Sequence, residues 1–384
     1  MRVSDVRTVR QGQVTELSAA VNDFRMWYRI QADHTVPARG DAFVAVALLP
    51  AMLEGGPLEV DPDVTVSGKL LQGIERLQDI FHCWNPIFKR IQIRATVSPA
   101  TTSSPETASF FSGGVDGTFT ALKHAEITRL VLINGFDFFL EPQVFAQVAE
   151  RTRGYAASLG KTLLTVETNY REFNAAFGVS GALHHGSSLA AIALGLGFRR
   201  VYIPASFTYT ELTPWGSHPL TDPLFSSEAT EIVHDGAEAA RTEKTQTIFA
   251  CESVSRNLRV CWDDMNRNCG RCGKCLRTRI ALRALGISAP VFEDLRSLDE
   301  IMTLGASSWG ERTFLEDNMR FAERRGDHEL ARVLRRPIRK FELRRLAVEA
   351  DRLLLGGLFK GIYRRFVTPE RLRPGPAPDP NYPA

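Results

Sequence analysis

Between residues 108 and 250 the sequence alternates between short apolar segments and longer segments with helical spacing. The apolar segments predict strands over residues 108–113, 128–135, 161–169, 199–207 and 231–236. The intervening segments predict helices from the glycine loop to about residue 124 and over 141–160, 185–198 and 237–250. Strands joined by helices form βαβ units, so the sequence predicts an α/β fold with a doubly wound, parallel, Rossmann-like sheet. Ligands of such sheets bind at the carboxyl ends of the strands.

A Ser-Gly-Gly loop lies between the first predicted strand and its helix, in FFSGGVDGTFTALKH (residues 110–124). Glycines let a backbone approach a phosphate closely, and successive N–H groups at a helix N-terminus bind anions. Asp116 is expected to cap the helix or to hold a Mg²⁺ bound to phosphate oxygens. The alternative is a plain strand-to-helix turn. The apolar strand before the loop and the helix after it favour a nucleotide site.

Four of the six cysteines lie close together, in CWDDMNRNCGRCGKC, and the helix LRTRIALRALG follows them. They are Cys261, Cys269, Cys272 and Cys275. Four thiolates complete a tetrahedral zinc shell, so we expect a structural Zn²⁺ site with no open coordination position. An iron–sulfur cluster and a redox role are the alternatives. Cys83 and Cys251 are expected to be small buried apolar residues.

The loop resembles the PP-loop of the N-type ATP pyrophosphatases, the adenine nucleotide α-hydrolase-like superfamily. In that family a Ser-Gly-Gly-x-Asp-Ser loop binds the pyrophosphate of ATP, which is cleaved between the α and β phosphates. Gly117 stands where the family has its second serine, and Thr118 brings a hydroxyl one residue later. The residues expected to contact the nucleotide are Ser112, Gly113, Gly114, Val115, Asp116, Gly117, Thr118 and Asn134.

The cysteine spacing narrows the resemblance to 7-cyano-7-deazaguanine synthases, in which a comparable cysteine knuckle followed by an arginine comes after the PP-loop domain. Arg277 or Arg279 matches that arginine. Lys244, in ARTEKTQTIF, matches a family lysine near the phosphates, and its alternative is a surface helix lysine. The resemblance covers roughly residues 108–285. Two segments depart from the family pattern, NGFDFFL (134–140) and TPWGSHPLTDPLFSSE (213–228). We therefore expect the chain to share the family's ATP chemistry but not its substrate.

The segment 213–228 follows a strand end, where a substrate lid would belong. Its candidate polar groups are Ser217, His218, Thr221, Asp222 and Glu228. His218 is expected to orient a carboxylate or carry a proton, and the alternative is a packed histidine in an ordered loop. His184 and His185 are placed just before a helix N-terminus, where they either cap and pack or, with HGSS (185–188), contact the ligand.

Composition changes along the chain predict four parts. Residues 1–100, with a helix over 70–81 and a strand over 89–97, form an α+β accessory region that ends at the Ser/Thr/Pro stretch 98–107, which reads as a linker. Residues 101–285 form the ATP-binding domain and include the knuckle 261–275. Residues 286–372 form a helical basic region with a long helix over 339–366, and residues 373–384, rich in proline, form a disordered tail.

The net charge is +3, but residues 331–373 alone carry 13 Lys or Arg against 4 Asp or Glu. This segment is expected to be a solvated helix face or a docking surface for nucleic acid phosphates. The chain shows no secretory signal, and its longest apolar run, 42–53, contains Pro50 and is too short to span a bilayer, so a cytoplasmic location is expected. A homodimer is compatible with the sequence.

The expected function is that of an AMP- and pyrophosphate-forming ligase of the deazaguanine-synthase type, with ATP, Mg²⁺ and Zn²⁺. A carboxylate or amide oxygen of a small molecule or a protein terminus would attack the α-phosphate, and a nitrogen nucleophile would then displace AMP. Asp116, Lys244 and His218 are the expected catalytic residues. The alternatives are an RNA-thiolating PP-loop enzyme and a non-catalytic nucleotide-binding partner protein.

Overall fold

A computed structural model describes residues 1–101, 104–136 and 141–355, without the side chains of residues 302, 303 and 355. The chain forms two compact units, Met1–Ala239 and Ala240–Ala384. This division differs from the one expected from the linker-like stretch near residue 100, which lies inside the first unit. The predicted tail 373–384 lies outside the described residues, as does part of the segment NGFDFFL (134–140).

The first unit contains all twelve strands that the described residues form. They are β1 (Arg2–Gln11), β2 (Val14–Val21), β3 (Phe24–Gln31), β4 (Leu58–Val60), β5 (Thr65–Val66), β6 (Ile93–Arg94), β7 (Thr96–Val97), β8 (Ser104–Phe110), β9 (Arg129–Asn134), β10 (Thr162–Thr168), β11 (Phe198–Pro204) and β12 (Glu231–Asp235). Its helices are α1 (Asp41–Glu54), α2 (Gly68–Trp84), α3 (Val115–Lys123), α4 (Pro142–Ser158), α5 (Tyr170–Phe177) and α6 (Gly181–Leu196). The five strands predicted after residue 107 are β8 to β12, and helices separate most of them as expected.

Ten strands form one sheet in the order β12-β11-β8-β9-β10-β3-β2-β1-β4-β6, and β5 pairs with β7 separately. The run from β12 to β10 is parallel throughout. After β10 the chain returns to place β11 on the other side of β8, so the winding reverses between β8 and β11. The prediction of an α/β fold with a largely parallel sheet is confirmed, and this reversal is where doubly wound sheets bind ligands.

The N-terminal region continues this sheet instead of forming a separate layer. β1, β2 and β3 form an antiparallel meander, and β3 pairs antiparallel with β10. The predicted linker is wrong in its second half, because β8 begins at Ser104 and pairs with β11. Ser104 and Thr107 are buried within it. Pairing with β11 thus outweighs a composition that by itself is typical of a loop.

The helices α1 and α6 supply much of a large apolar core in the first unit. α1 reads DAFVAVALLPAMLE and is buried from Asp41 to Met52, and most of α6 is buried as well. Helices that are apolar all round belong in an interior. α1 packs against α6, and their side chains join those of β2, β3, β8 and β11 in one cluster.

The second unit is helical in its described residues. Its helices are α7 (Arg241–Ile248), α8 (Glu252–Asn257), α9 (Gly273–Leu285), α10 (Trp309–Arg324) and α11 (His328–Leu355). A small core of α9, α10 and α11 side chains, including Ile280, Leu315 and Leu334, holds them together. α11 agrees with the predicted long basic helix as far as residue 355. None of the helices in the described part of the chain has the length and apolar character that a membrane crossing requires.

Candidate functional site

The Ser-Gly-Gly loop connects the end of β8 to the start of α3. Gly113 has φ +78°, a left-handed conformation that glycine adopts without strain. Gly114 is the N-cap residue of α3, and it has no side chain to cap the helix. Within the residues described, the backbone N–H groups of Ser112, Gly113 and Gly114 donate to no other group. Together with the first turn of α3 they form the arrangement of donors that binds anions.

This loop lies at the carboxyl edge of the sheet, beside the point where the winding reverses. β11 runs next to β8 and ends at Pro204, and the following residue, Ala205, donates its N–H to the carbonyl of Asp235 at the end of β12. Asn134 ends β9 on the other side of β8, and its Nδ2 donates to Glu167 Oε2 over 3.3 Å. The fold therefore brings the loop and Asn134, which are separate in sequence, to one edge.

The side chains expected to supply hydroxyl contacts are arranged differently from the family pattern. A Cβ added at Gly117 would lie 3.3 Å from the Phe110 carbonyl oxygen and 3.4 Å from the Phe111 ring, so this position faces the end of β8. The Thr118 hydroxyl is buried and shares a 3.1 Å hydrogen bond with the Tyr155 hydroxyl. Thr118 therefore does not replace the missing serine, because its side chain points into the packing between α3 and α4. Asp116 lies in the first turn of α3 and is partly exposed.

A polar cluster that sequence reasoning missed ties α3 to β12. Asp235 accepts hydrogen bonds of 2.8 Å from Thr120 Oγ1, Lys123 Nζ and His124 Nε2. Burial opposes ionisation of Asp235, but the bonds from Lys123, His124 and Thr120 outweigh it and lower its pKa. The sequence places Thr120, Lys123 and His124 along one helix face. It does not show that all three donate to the same acceptor. The cluster fixes α3, and therefore its N-terminus, against the sheet.

His218 has the surroundings of a packed histidine, which is the alternative that the sequence left open beside a catalytic role. Its side chain is buried edge-on against Trp84, with ring centroids 5.2 Å apart. Its Nδ1 accepts the N–H of Leu220 over 3.0 Å, within its own loop. Burial lowers the pKa of His218, and the nearby His234 lowers it further. The ring therefore serves to order segment 213–228.

His184 and His185 lie inside α6 and do not precede it, because the helix begins at Gly181, about one turn earlier than predicted. His184 is fully buried, with Nε2 2.8 Å from the Val46 carbonyl of α1. Ser187 and Ser188, the serines of HGSS, are buried and donate to the His184 carbonyl in the preceding turn. Their hydroxyls are satisfied within the helix, so they are not available for a ligand.

The second unit contains the cysteine cluster. The Sγ atoms of all four cysteines lie within 4.8 Å of one another, and those of Cys261 and Cys272 are 3.9 Å apart. A tetrahedral zinc site with bonds of about 2.3 Å needs sulfur atoms roughly 3.8 Å apart. Backbone N–H groups also point at the sulfurs, since Asp264 and Cys269 donate to Cys261 Sγ. The four cysteines are thus arranged to hold a metal ion such as zinc.

The two arginines after the knuckle have different surroundings. Arg279 is buried and donates to the carbonyls of Gly270, Glu293 and Asp294, so it braces the knuckle. Arg277 instead stacks on Phe314, with its guanidinium 4.9 Å from the ring centroid. Burial lowers the pKa of Arg277 to about 10, and the nearby Arg241 adds to the effect.

Burial excludes the surface-lysine alternative for Lys244 and differs from the expectation for two cysteines. Lys244 lies in α7 and is only 1% exposed, so it is not a surface helix lysine. Cys83 is exposed and Cys251 is half-buried, and neither is the buried apolar residue that was expected. Burial depends on which elements cover a side chain, and the local sequence does not specify this.

No model of a known protein family matches the sequence, and comparisons of the chain with curated proteins and with solved structures gave no match.

Proposed function

We propose that the first unit binds ATP through the Ser-Gly-Gly loop at the carboxyl edge of its sheet. The observation that carries the proposal is the loop itself. It presents, at the N-terminus of α3, backbone N–H groups that have no partner among the described residues, beside the reversal point of a doubly wound sheet. Asp116, in the first turn of the same helix, would hold a Mg²⁺ that neutralises phosphate charge. The proposal rests on residues of the first unit alone.

The reaction proposed is ATP-dependent formation of a C–N bond, with AMP and pyrophosphate as products, as in the 7-cyano-7-deazaguanine synthases that the motifs resemble. A carboxylate or amide oxygen of the substrate attacks the α-phosphate and pyrophosphate leaves. A nitrogen nucleophile then attacks the activated carbon and AMP leaves. The chain needs no side-chain nucleophile for this, because alignment and charge neutralisation supply the catalysis.

The test is to incubate the protein with ATP, Mg²⁺, ammonium chloride and a panel of aliphatic, aromatic and heteroaromatic carboxylic acids. ³¹P NMR then separates AMP with pyrophosphate from ADP with phosphate. AMP formation that depends on one acid supports the proposal. Formation of ADP, or no ATP binding in calorimetry, contradicts it.

A second candidate is a nucleotide-binding protein without turnover. The observation that favours it is that neither of the two positions after Asp116 offers a free hydroxyl: position 117 is glycine, and Thr118 is bonded to Tyr155. ATP binding with micromolar affinity and no AMP release with any acid in the panel would support this candidate over the enzyme.

For the second unit we propose a structural Zn²⁺ held by the four cysteines. Four protein ligands would fill the coordination shell, so the metal would stabilise the fold around α9 and take no part in the reaction. Metal analysis of the purified protein should give about one zinc per chain.

A further inference from the structure

Asp222 and His234 form a buried pair at the carboxyl edge of the first unit. His234 Nδ1 lies 2.8 Å from Asp222 Oδ2, and their side chains are 5% and 0% exposed. His234 is the penultimate residue of β12. Asp222 comes from segment 213–228, which folds over this strand. None of the expectations drawn from sequence included His234, because the partner that orients it is twelve residues away.

The hydrogen bonds around Asp222 determine which nitrogen of His234 carries the proton. Asp222 Oδ2 accepts the Ser217 hydroxyl over 2.7 Å, and Oδ1 accepts the His218 N–H over 3.1 Å. An ionised carboxylate only accepts, so Nδ1 of His234 must donate. In the neutral ring Nε2 then carries the lone pair.

Nε2 of His234 is available as a proton acceptor. It forms no hydrogen bond to any group in the described part of the chain, and it is not among the buried, unpartnered atoms there, so it reaches solvent. The adjacent Asp235 points to α3, so His234 points to the opposite face of the sheet.

The strand register places this ring near the glycine loop. His234 pairs with Ile203 in β11, and Tyr202 of β11 pairs with Ser109 of β8. His234 is therefore level with Phe110, which precedes the loop, and lies two strands away. At about 4.8 Å per strand the lateral separation is roughly 10 Å. A ligand whose phosphates bind the loop can extend its reacting carbon over that distance.

We propose that Asp222 and His234 act as a dyad in which His234 Nε2 takes the proton from the nitrogen nucleophile of the proposed reaction. This inference rests on the proposed function. The nitrogen lone pair attacks the carbon of the adenylated substrate, the C–O bond to AMP breaks, and AMP leaves with the bonding electron pair. The N–H proton passes to Nε2, and Asp222 balances the positive charge of the imidazolium. His234 is the catalytic residue, and Asp222 is a positioning residue.

The first experiment tests the dyad without any turnover. Long-range ¹H–¹⁵N spectra of histidine-labelled protein at pH 8 should show His234 as the Nδ1–H tautomer. In Asp222→Asn the amide oxygen must still accept the His218 N–H, because that N–H can only donate. The amide NH₂ group then faces His234 Nδ1. The ring should therefore change to the Nε2–H tautomer. An Nε2–H tautomer in the unsubstituted protein contradicts the proposal.

The second experiment separates the two half-reactions, with the acid that gives the fastest AMP release in the panel. His234→Asn keeps an N–H near Asp222 but removes Nε2. Pyrophosphate–ATP exchange, which reports adenylation, should stay within about twofold, while nitrogen transfer from ammonia falls at least about 100-fold. His82→Asn is the matched control, because His82 Nδ1 contacts only the Phe88 carbonyl.

The outcomes distinguish the two proposals. Unchanged nitrogen transfer in His234→Asn, with normal exchange, overturns the dyad and leaves the proposed function standing. Equal loss of exchange and transfer assigns His234 a structural role and also overturns the dyad. Absence of exchange in the unsubstituted protein overturns the proposed function and therefore also the proposed role of the dyad, which depends on it.

Discussion

The glycine loop of the first unit and the cysteine cluster of the second are both visible as sequence motifs. The groups that we propose to bind ligands differ, because they are backbone N–H groups in the loop and side chains in the cluster. In the cluster four side chains converge, with Sγ atoms within 4.8 Å of one another. In the loop the groups that we propose to bind phosphate are backbone N–H groups, and no side chain caps the helix. A side-chain site can be changed by altering the ligand residues. A backbone site is altered mainly through conformation, so the two regions should respond very differently to substitution.

The largest expected effect is at the cysteine cluster. Cys275→Ser removes one of four ligands from a site whose metal-binding free energy is typically about 10–16 kcal/mol. We expect this variant to lose bound zinc and the folded second unit. Metal analysis and circular dichroism check this. Cys83→Ser, which alters an exposed cysteine, is the matched control and should retain the metal. Full metal content in Cys275→Ser would contradict the four-cysteine site.

The next effect concerns the core of the first unit and its response to acid. Burial lowers the pKa of His184 to about 4, from an ordinary value near 6.5 in the unfolded chain. The unfolded state therefore binds more protons between these values, so stability falls as pH falls from about 6.5 to 4, by about 3 kcal/mol. Urea unfolding at several pH values measures this loss.

His184→Asn should remove most of that pH dependence, although it lowers stability at neutral pH. His185→Asn, at the half-buried neighbouring position, should leave the dependence intact. An equal slope in both variants would show that His184 is not the group responsible.

A smaller effect is expected at Gly113, whose left-handed conformation glycine adopts without strain. Gly113→Ala forces a Cβ into a left-handed conformation at φ +78°, which costs roughly 1–2 kcal/mol, and it also distorts the row of N–H groups. Gly160→Ala is the matched control. Gly160 has φ +71° and open space around it, so the added Cβ has the same backbone cost at a position away from the loop. Calorimetry should show ATP binding weakened about tenfold or more in the first variant and unchanged in the second. Equal affinities would argue against the loop as the phosphate site.

The smallest effect is expected for Gly117→Ser. Its Cβ would sit 3.3 Å from the Phe110 carbonyl oxygen, a tight but tolerable contact. In our proposal the backbone N–H groups bind the phosphates, so the added hydroxyl should change ATP affinity by less than about threefold. That change corresponds to less than the free energy of a typical hydrogen bond. A large gain in AMP formation would instead show that the natural loop lacks a required hydroxyl.

The sequence predicted the parallel half of the fold because apolar strands and amphipathic helices follow from local periodicity. It predicted the cysteine cluster because the ligands lie within a short segment. It missed the accessory region's place in the sheet, since pairing of β3 with β10 joins residues far apart in sequence. It could not specify the hydrogen-bond partners of His218 and Thr118, because packing brings the Leu220 N–H and the Tyr155 hydroxyl to them.

By itself, then, the sequence determined the α/β class, the conformational freedom of Gly113 and Gly114, and the identity of four cysteines that could hold a metal ion. These properties depend on residue type and short-range spacing. Tertiary structure decided that the sheet has ten strands, that the glycine loop lies beside its reversal point, and that His234 is oriented by Asp222. Strand order and long-range hydrogen bonds arise from interactions between segments that are distant in the chain, and local periodicity carries no information about them.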